Sequence, residues 1–147
     1  MERLWQEQRR RIDEATVIAV AKQIRTIVEE GTQVGIVIGG GNFWRGRTSE
    51  TIDRNKADQI GMLATVMNCI YVSDICRYLG LRTEIFTPFE CGAFTSLYSK
   101  DAVEEGFAQG KVLFFAGGTG HPYFSTDTAT VLRAVEIEQR RSFLPKP

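Results

Sequence analysis

Residues 34–41 read Val-Gly-Ile-Val-Ile-Gly-Gly-Gly, and this stretch decides the fold. Its first part is a short apolar, β-branched run without polar alternation, which predicts a strand buried on both faces of a parallel sheet. The glycines follow at once, so a loop begins at the carboxyl end of that strand. Because ligands of open α/β sheets bind at this end of the strands, the stretch predicts both an architecture and the place of a site.

The rest of the chain alternates between helical and strand-like patterns. Apolar residues recur with a period of about 3.6 residues in three segments that we interpret as helices, residues 12–30, 56–79 and 101–109. Gly31 and Gly80 end the first two helices in left-handed backbone. Thr126 or Asp127 caps a further helix that runs to about Ile137.

Two further strands are predicted, at residues 83–86 and 112–115, whereas the aromatic-rich residues 87–98 are not assigned. The resulting alternation of helices and strands predicts an α/β fold, a three-layer sandwich with a mainly parallel sheet between helices.

The composition is that of an ordinary globular domain. Hydrophobic residues make up 43% and charged residues 24% of the 147 residues, and 18 basic side chains balance 18 acidic ones. This balance predicts no nucleic-acid partner and no anionic membrane partner. Apolar runs fall short of the ~20 residues of a membrane span, and the charged N-terminus lacks an apolar signal core. We therefore expect a cytoplasmic protein.

The cysteines and the histidine do not predict a metal site. Cys69, Cys76 and Cys91 lack the spacing of metal ligands, and His121 is the only histidine. A single histidine supports neither a metal cluster nor a Ser-His-Asp set. We expect the cysteines to be buried free thiols, with Cys69 and Cys76 on one face of their helix.

The first glycine-rich loop is a candidate phosphate-binding element. The backbone amides of Gly40 and Gly41 can approach phosphate oxygens closely, and Arg45 adds a planar, charged donor group. The alternative is a tight turn with an arginine in solvent. The loop does not match the Walker or the dinucleotide-binding fingerprint.

The second glycine-rich loop follows residues 112–115 and leads into a predicted helix. The N-terminus of a helix favours the binding of an anion. Tyr123 and Phe124 are candidates for stacking on a base, and the alternative places them in the core with the nearby Ser, Thr and Asp residues as helix caps. Asp58 is a candidate acceptor of hydrogen bonds from ribose hydroxyls. Its alternative is a first-turn residue stabilised by the helix dipole.

Three motifs resemble the bacterial UMP kinases of the amino-acid-kinase superfamily, in family order and spacing. They are residues 37–46 (Val-Ile-Gly-Gly-Gly-Asn-Phe-Trp-Arg-Gly), 57–68 (Ala-Asp-Gln-Ile-Gly-Met-Leu-Ala-Thr-Val-Met-Asn) and 116–128 (Ala-Gly-Gly-Thr-Gly-His-Pro-Tyr-Phe-Ser-Thr-Asp-Thr). The resemblance implies an amino-acid-kinase-like fold and a kinase that converts UMP and ATP to UDP and ADP with Mg²⁺. It also implies a homo-oligomer, which is a hexamer in the family.

The resemblance assigns roles by position. Gly41 and Arg45 resemble contacts to the ATP phosphates, and Arg45 and Asp127 resemble catalytic residues near the transferred phosphoryl group. The residues that resemble UMP contacts are Gly40, Asp58, Thr119, Gly120, His121, Pro122, Tyr123, Phe124, Ser125 and Thr126. His121 replaces an asparagine that is usual in the family.

Both ends of the chain depart from the family pattern. Residues 12–138 resemble the UMP-binding, N-terminal lobe, whereas residues 1–11 and 139–147 match nothing in it. The family's first strand, its ATP-neutralising lysine and its ATP-binding half have no counterpart here, so we expect an incomplete fold with negligible kinase activity and weak UMP binding. Both ends contain Glu-Gln-Arg-Arg, at residues 7–10 and 138–141. Our hypothesis is that they are out-of-frame translations of a UMP kinase gene.

Two alternatives to a UMP kinase remain open. One is a kinase of the same superfamily that phosphorylates a carboxylate, as acetylglutamate and aspartate kinases do, although Asp58 and residues 119–127 favour UMP. The other is a non-catalytic nucleotide-binding or oligomerisation module, because the long apolar segment 56–79 suits a subunit interface as well as a core.

Overall fold

A computed structural model describes residues 13–42 and 51–121 of the chain. Its helices and strands are α1 (Glu14–Glu29), β1 (Gly35–Val37), α2 (Arg54–Tyr78), β2 (Thr83–Thr87), β3 (Ser96–Leu97), α3 (Lys100–Ala108) and β4 (Val112–Phe115). The strands form one parallel sheet in the order β1-β4-β2-β3. The predicted α/β architecture is therefore confirmed, while the helix predicted from Thr126 or Asp127 lies outside the described residues.

Local sequence signals set the ends of the described helices. Asp13, Asp53 and Ser99 each cap a helix by accepting hydrogen bonds from backbone N–H groups of its first turn. At Asp13, a hydrogen bond from the Thr16 hydroxyl, followed by one from the Thr16 backbone N–H, lowers the pKa of the carboxyl below its ordinary value. Helices α1 and α2 are each followed by a glycine with φ of 89°, which confirms the predicted stops at Gly31 and Gly80.

Alternation along β4 builds the three layers. Val112 and Phe114 face the core that α1 and α2 cover, whereas Leu113 and Phe115 face the opposite core beneath α3. Successive strand residues point to opposite faces of a sheet, so a strand that has a core on each face must be apolar throughout. Residues 112–115 are buried without exception, as the uninterrupted apolar run predicts.

Two expectations about strands require correction. Residues 35–37 of β1 are half-buried rather than buried on both faces, because β1 lies at an edge of the described sheet. The unassigned residues 87–98 contain the short strand β3, and its neighbour Tyr98 donates a backbone hydrogen bond to the carbonyl of Thr87 at 2.8 Å. A strand of two residues is too short to produce a periodic pattern.

Helix α2 also departs from the expectation that no segment suits a membrane. By length and composition alone, Arg54–Tyr78 is apolar enough to cross one, with a mean hydropathy of 1.3 over its best window. One face of α2 contributes Val66, Cys69, Val72 and Cys76 to the core between the helices and the sheet. This face packs as that of a core helix does, whereas 39% of the whole window is buried.

The cysteines of the chain differ in their surroundings. All of them are free, and Cys69 and Cys76 are buried on one face of α2 as predicted, but Cys91 is only half-buried. The expectation of burial is therefore wrong for Cys91, which lies in a loop. Burial raises the pKa of the Cys69 thiol to about 12 and that of Cys76 to about 11.

Alkylation should distinguish these thiols. At pH 8 iodoacetamide should modify Cys91 in the native chain, whereas Cys69 and Cys76 should react only after unfolding in urea, because the thiolate is the reactive form and both groups are buried and protonated. Peptide mapping by mass spectrometry gives the extent of modification at each site. Modification of Cys69 in the native chain as rapid as that of Cys91 would contradict this packing of α2.

Candidate functional site

The two glycine-rich loops begin side by side. β1 and β4 are neighbouring parallel strands in which Val37 pairs with Phe115. Their carboxyl ends therefore meet at the same edge of the sheet, separated by about 4.8 Å. The structure thus brings together the first parts of both predicted loops, residues 39–42 and 117–121. Arg45 and residues 122–127 lie outside the described residues, so their predicted roles stay predictions.

Gly40 is required by helix packing. A Cβ atom at this position would lie 2.8 Å from the Cβ of Ala64 and 2.9 Å from the carbonyl oxygen of Gly61. Both obstacles belong to rigid parts of α2, so a larger residue would push the loop away from the helix. Gly40 is buried, whereas Gly41 is exposed beside it. Close packing therefore accounts for Gly40 whether or not a ligand binds there.

Asn68 holds the first loop from within α2. Its side-chain Nδ2 donates to the carbonyl of Gly39 at 2.7 Å and to Oδ1 of Asn42 at 2.6 Å. Nδ2 of Asn42 donates back to Oδ1 of Asn68 at 3.3 Å. Asn68 is only 8% exposed, so these bonds satisfy a polar group that would otherwise be costly to bury.

Thr65 holds the second loop from the same helix. Its hydroxyl donates to the carbonyl of Met62 at 2.6 Å and accepts from the backbone N–H of Gly117 at 2.7 Å. Thr65 and Asn68 are both buried polar residues on an apolar helix face. Neither residue was selected as a site residue from the sequence. The signal that could have found them is a polar residue at a position of the helix where apolar residues are expected.

The second loop is shaped by its own hydrogen bonds. The N–H of Gly120 donates to the carbonyl of Gly117 at 3.1 Å, and the N–H of His121 donates to the hydroxyl of Thr119 at 3.3 Å. Gly117 and Gly118 have φ of 79° and 60°. Successive amides in such a turn form a concavity that suits an anion. His121 itself is exposed.

Residues after β2 form a support under this loop. A Cβ at Gly117 would lie 2.7 Å from Cε1 of Phe89, and one at Gly120 would lie 3.0 Å from Cγ of Pro88. The buried Thr87 fixes the support, since its hydroxyl lies 2.7 Å from the carbonyl of Phe89 and 2.7 Å from the hydroxyl of Thr95. The segment that the sequence left unassigned therefore shapes the second loop.

Asp58 lies on the loop-facing side of α2. Together with Gly61, Thr65 and Asn68 it follows a spacing of three and four residues, which aligns side chains along one face of a helix. Because α2 starts at Arg54, its first turn contains no acidic residue. The alternative that treats Asp58 as a first-turn residue stabilised by the dipole is therefore wrong, since that effect fades beyond the first turn.

The Asp58 carboxylate accepts hydrogen bonds from Nε of Arg54 at 3.2 and 3.3 Å. This ion pair is partly exposed, with 47% of the Arg54 and 23% of the Asp58 side chain accessible. Such pairs contribute about 0–1 kcal/mol, so this ion pair adds little to the stability of the fold.

A metal-binding cluster is not formed by residues 13–42 and 51–121. Within these ranges no group of three or more His, Cys, Asp or Glu side chains is arranged to hold an ion. Asp127, the acidic residue that the resemblance places near the transferred phosphoryl group, lies beyond them.

Comparisons with known proteins find similar sequences and a similar fold. The model of the amino acid kinase family matches residues 9–143 of the chain. The structure of a UMP kinase from Ureaplasma parvum is similar, with a TM-score of 0.81 and 34% identity over 86% of this chain and 56% of that one. A UMP kinase from Bacillus anthracis gives a TM-score of 0.81 and 32% identity over 86% and 53% of the two chains. The chain therefore spans a little over half the length of these solved kinases.

A double-mutant cycle should reveal the coupling between Asn42 and Asn68. Replacing either residue by alanine removes their paired hydrogen bonds, so the two losses in unfolding free energy should fail to add by roughly 0.5–3 kcal/mol. Urea unfolding of the single and double variants measures this term. The matched control pairs Asn68 with the exposed Asn55 on the same helix, where the effects should add. Additive losses for Asn42 and Asn68 would show that the hydrogen bonds between these two side chains contribute nothing.

Proposed function

The chain belongs to the amino acid kinase family, and on that premise we propose that it forms the acceptor-binding part of a UMP kinase, which transfers a phosphoryl group from ATP to UMP. The observation that carries the proposal is the attachment of both glycine-rich loops to one helix at the carboxyl ends of two adjacent strands. The fold supports a phosphotransferase, and its solved neighbours with about one third identical residues are UMP kinases.

The described geometry suits phosphoryl transfer. This reaction needs phosphates held in line and developing charge neutralised, and it needs little covalent help from the protein. In the proposal, Gly40 and residues 119–126 bind UMP, whereas Gly41 and Arg45 bind the ATP phosphates. Asp127 lies near the transferred group. ATP supplies that group and Mg²⁺ neutralises part of its charge.

Asp58 is proposed to accept a hydrogen bond from a ribose hydroxyl of UMP. Its position one helical turn before Gly61, on which Gly40 packs, supports this role. A carboxylate can accept several hydrogen bonds at once, which is the chemistry that this role requires. The reaction would serve pyrimidine nucleotide synthesis, which fits a cytoplasmic location.

Calorimetry should detect UMP binding by the full chain and its dependence on Asp58. The Asp58→Asn variant should bind UMP roughly tenfold to a hundredfold more weakly, because a hydrogen bond to a charged group contributes roughly 1.5–3 kcal/mol. Asp74→Asn is the matched control, since Asp74 is exposed on the same helix outside the loop-facing row and should leave the affinity unchanged. Equal affinity in the wild type and the Asp58→Asn variant would remove Asp58 from the site.

Parallel titrations with N-acetylglutamate and aspartate discriminate between acceptors. The proposal expects heat from UMP alone among these compounds, and a coupled assay with MgATP then reports whether UDP forms. Binding of a carboxylate acceptor without UMP would instead favour an amino-acid kinase of the same family. UMP binding without UDP formation is the outcome expected of an acceptor-binding part with negligible kinase activity.

A second copy of the chain is the proposed partner. Leu63, Met67 and Ile70 form an apolar row on α2 with exposed fractions of 51%, 45% and 39%. Their spacing of four and three residues places them on one face of the helix. Contiguous exposed apolar surface marks interaction sites, and the resemblance to oligomeric kinases favours self-association over another occupant.

Sedimentation should show this association and its loss on substitution. Met67→Lys places a charge in the middle of the apolar row and should shift the chain from an oligomer to a monomer at micromolar concentration. Val20→Lys is the control, because Val20 is a similarly exposed apolar residue, 46% accessible, on a different helix, α1. A wild-type monomer would contradict self-association, and binding of that monomer to lipid vesicles would identify a membrane as the occupant.

A further inference from the structure

Polar side chains are rare on the buried face of α2, and two of them meet the glycine-rich loops. Thr65 and Asn68 are 6% and 8% exposed. Thr65 contacts the loop that follows β4, and Asn68 contacts the loop that follows β1. The remaining one, Ser73, is hydrogen-bonded to Thr83 of β2, far from either loop along the helix.

The hydroxyl of Thr65 is fixed in orientation. Its proton is directed to the carbonyl of Met62, so a lone pair remains for the N–H of Gly117 at 2.7 Å. This bond sets the position at which the second loop leaves β4. Valine has nearly the same shape but no hydroxyl, and it would leave a buried N–H without its partner.

Asn68 fixes the first loop in a similar way. It binds the carbonyl of Gly39 and the side chain of Asn42, on either side of Gly40 and Gly41. Thr65 and Asn68 are three residues apart, which is about 4.5 Å along a helix axis. Both loops are thus attached to one rigid segment.

We propose that Thr65 and Asn68 are positioning residues that hold the two glycine-rich loops at a fixed separation for one nucleotide. The inference rests on the proposed function, because it takes UMP as the ligand that both loops contact. In this inference both side chains act through the loops that they hold. A ligand held between two loops loses affinity when either loop shifts, since its contacts require positions defined within about 0.5 Å.

The test compares Thr65→Val with Thr65→Ser in the full chain. Thr65→Val should weaken UMP binding roughly tenfold and speed hydrogen exchange at the Gly117 amide by a similar factor, as the loss of one buried hydrogen bond predicts. Thr65→Ser keeps the hydroxyl and should restore both values. Calorimetry measures the affinity and NMR measures the exchange, at a temperature at which urea unfolding shows every variant fully folded.

Thr26→Val is the matched control for this substitution. The hydroxyl of Thr26 also donates to a carbonyl within its own helix, that of Lys22 at 3.2 Å, but Thr26 is exposed on α1. Its loss should change neither UMP affinity nor exchange at Gly117. This control measures the general effect of removing a threonine hydroxyl from a helix, separately from the loss of the bond to Gly117.

Asn68→Asp provides an independent test of the first loop. The carboxylate has the shape of the amide, but the oxygen that replaces Nδ2 has no proton to donate to the carbonyl of Gly39 or to Oδ1 of Asn42. UMP affinity should fall roughly tenfold or more. Asn55→Asp, an exposed substitution with the same charge change on the same helix, should leave the affinity as it is.

Each outcome bears on a separate claim. A purely structural role would lower the urea midpoint of Thr65→Val but leave UMP affinity unchanged, and this result would overturn the positioning role. If the wild-type chain does not bind UMP, the proposed function fails. The positioning role is then decided by hydrogen exchange at the Gly117 amide. Faster exchange in Thr65→Val, with recovery in Thr65→Ser, supports this role. Unchanged exchange in Thr65→Val rejects it.

Discussion

The close approach of α2 to the carboxyl ends of β1 and β4 is the constraint on which the site depends. It requires a residue without Cβ at position 40, because Ala64 and Gly61 leave no room for one. It also brings Thr65 within 2.7 Å of the Gly117 amide. Since the core between α2 and the sheet is apolar and well packed, the helix cannot move without disturbing both loops.

This constraint gives glycine a double role in the first loop. The absence of Cβ at Gly40 lets the loop rest on the helix, and the exposed Gly41 beside it keeps its backbone open to a ligand. Packing therefore explains the glycine at position 40, and the proposed ligand binding explains the glycine at position 41, its neighbour in the same loop. Membership of the amino acid kinase family and the proposed UMP site are consistent with both.

Much of the fold follows from local patterns in the sequence. The periodicity of α1 and α2 and the apolar run of β4 predict their elements because these segments have a full helical face or lie between two other strands. β3 could not be predicted, since its two residues are defined only by pairing with β2. The half-buried state of β1 likewise depends on which strands lie beside it.

The sequence predicted the glycine-rich loops of the candidate site but not the hydrogen bonds that attach these loops to α2. A glycine-rich loop after a buried strand is a local signal, and it located residues 39–42 and 117–121. Thr65 and Asn68 are ordinary residues of an apolar helix in the sequence. Their importance comes from partners 52 and 29 residues away along the chain, Gly117 and Gly39, which only the tertiary structure brings to them.

An NMR titration tests the central claim, that the two loops form one nucleotide site, most directly. The account predicts that the amide signals of residues 39–42 and 117–121 shift together on addition of UMP and follow a single saturation curve. Shifts confined to one loop, or separate curves for the two loops, would contradict it.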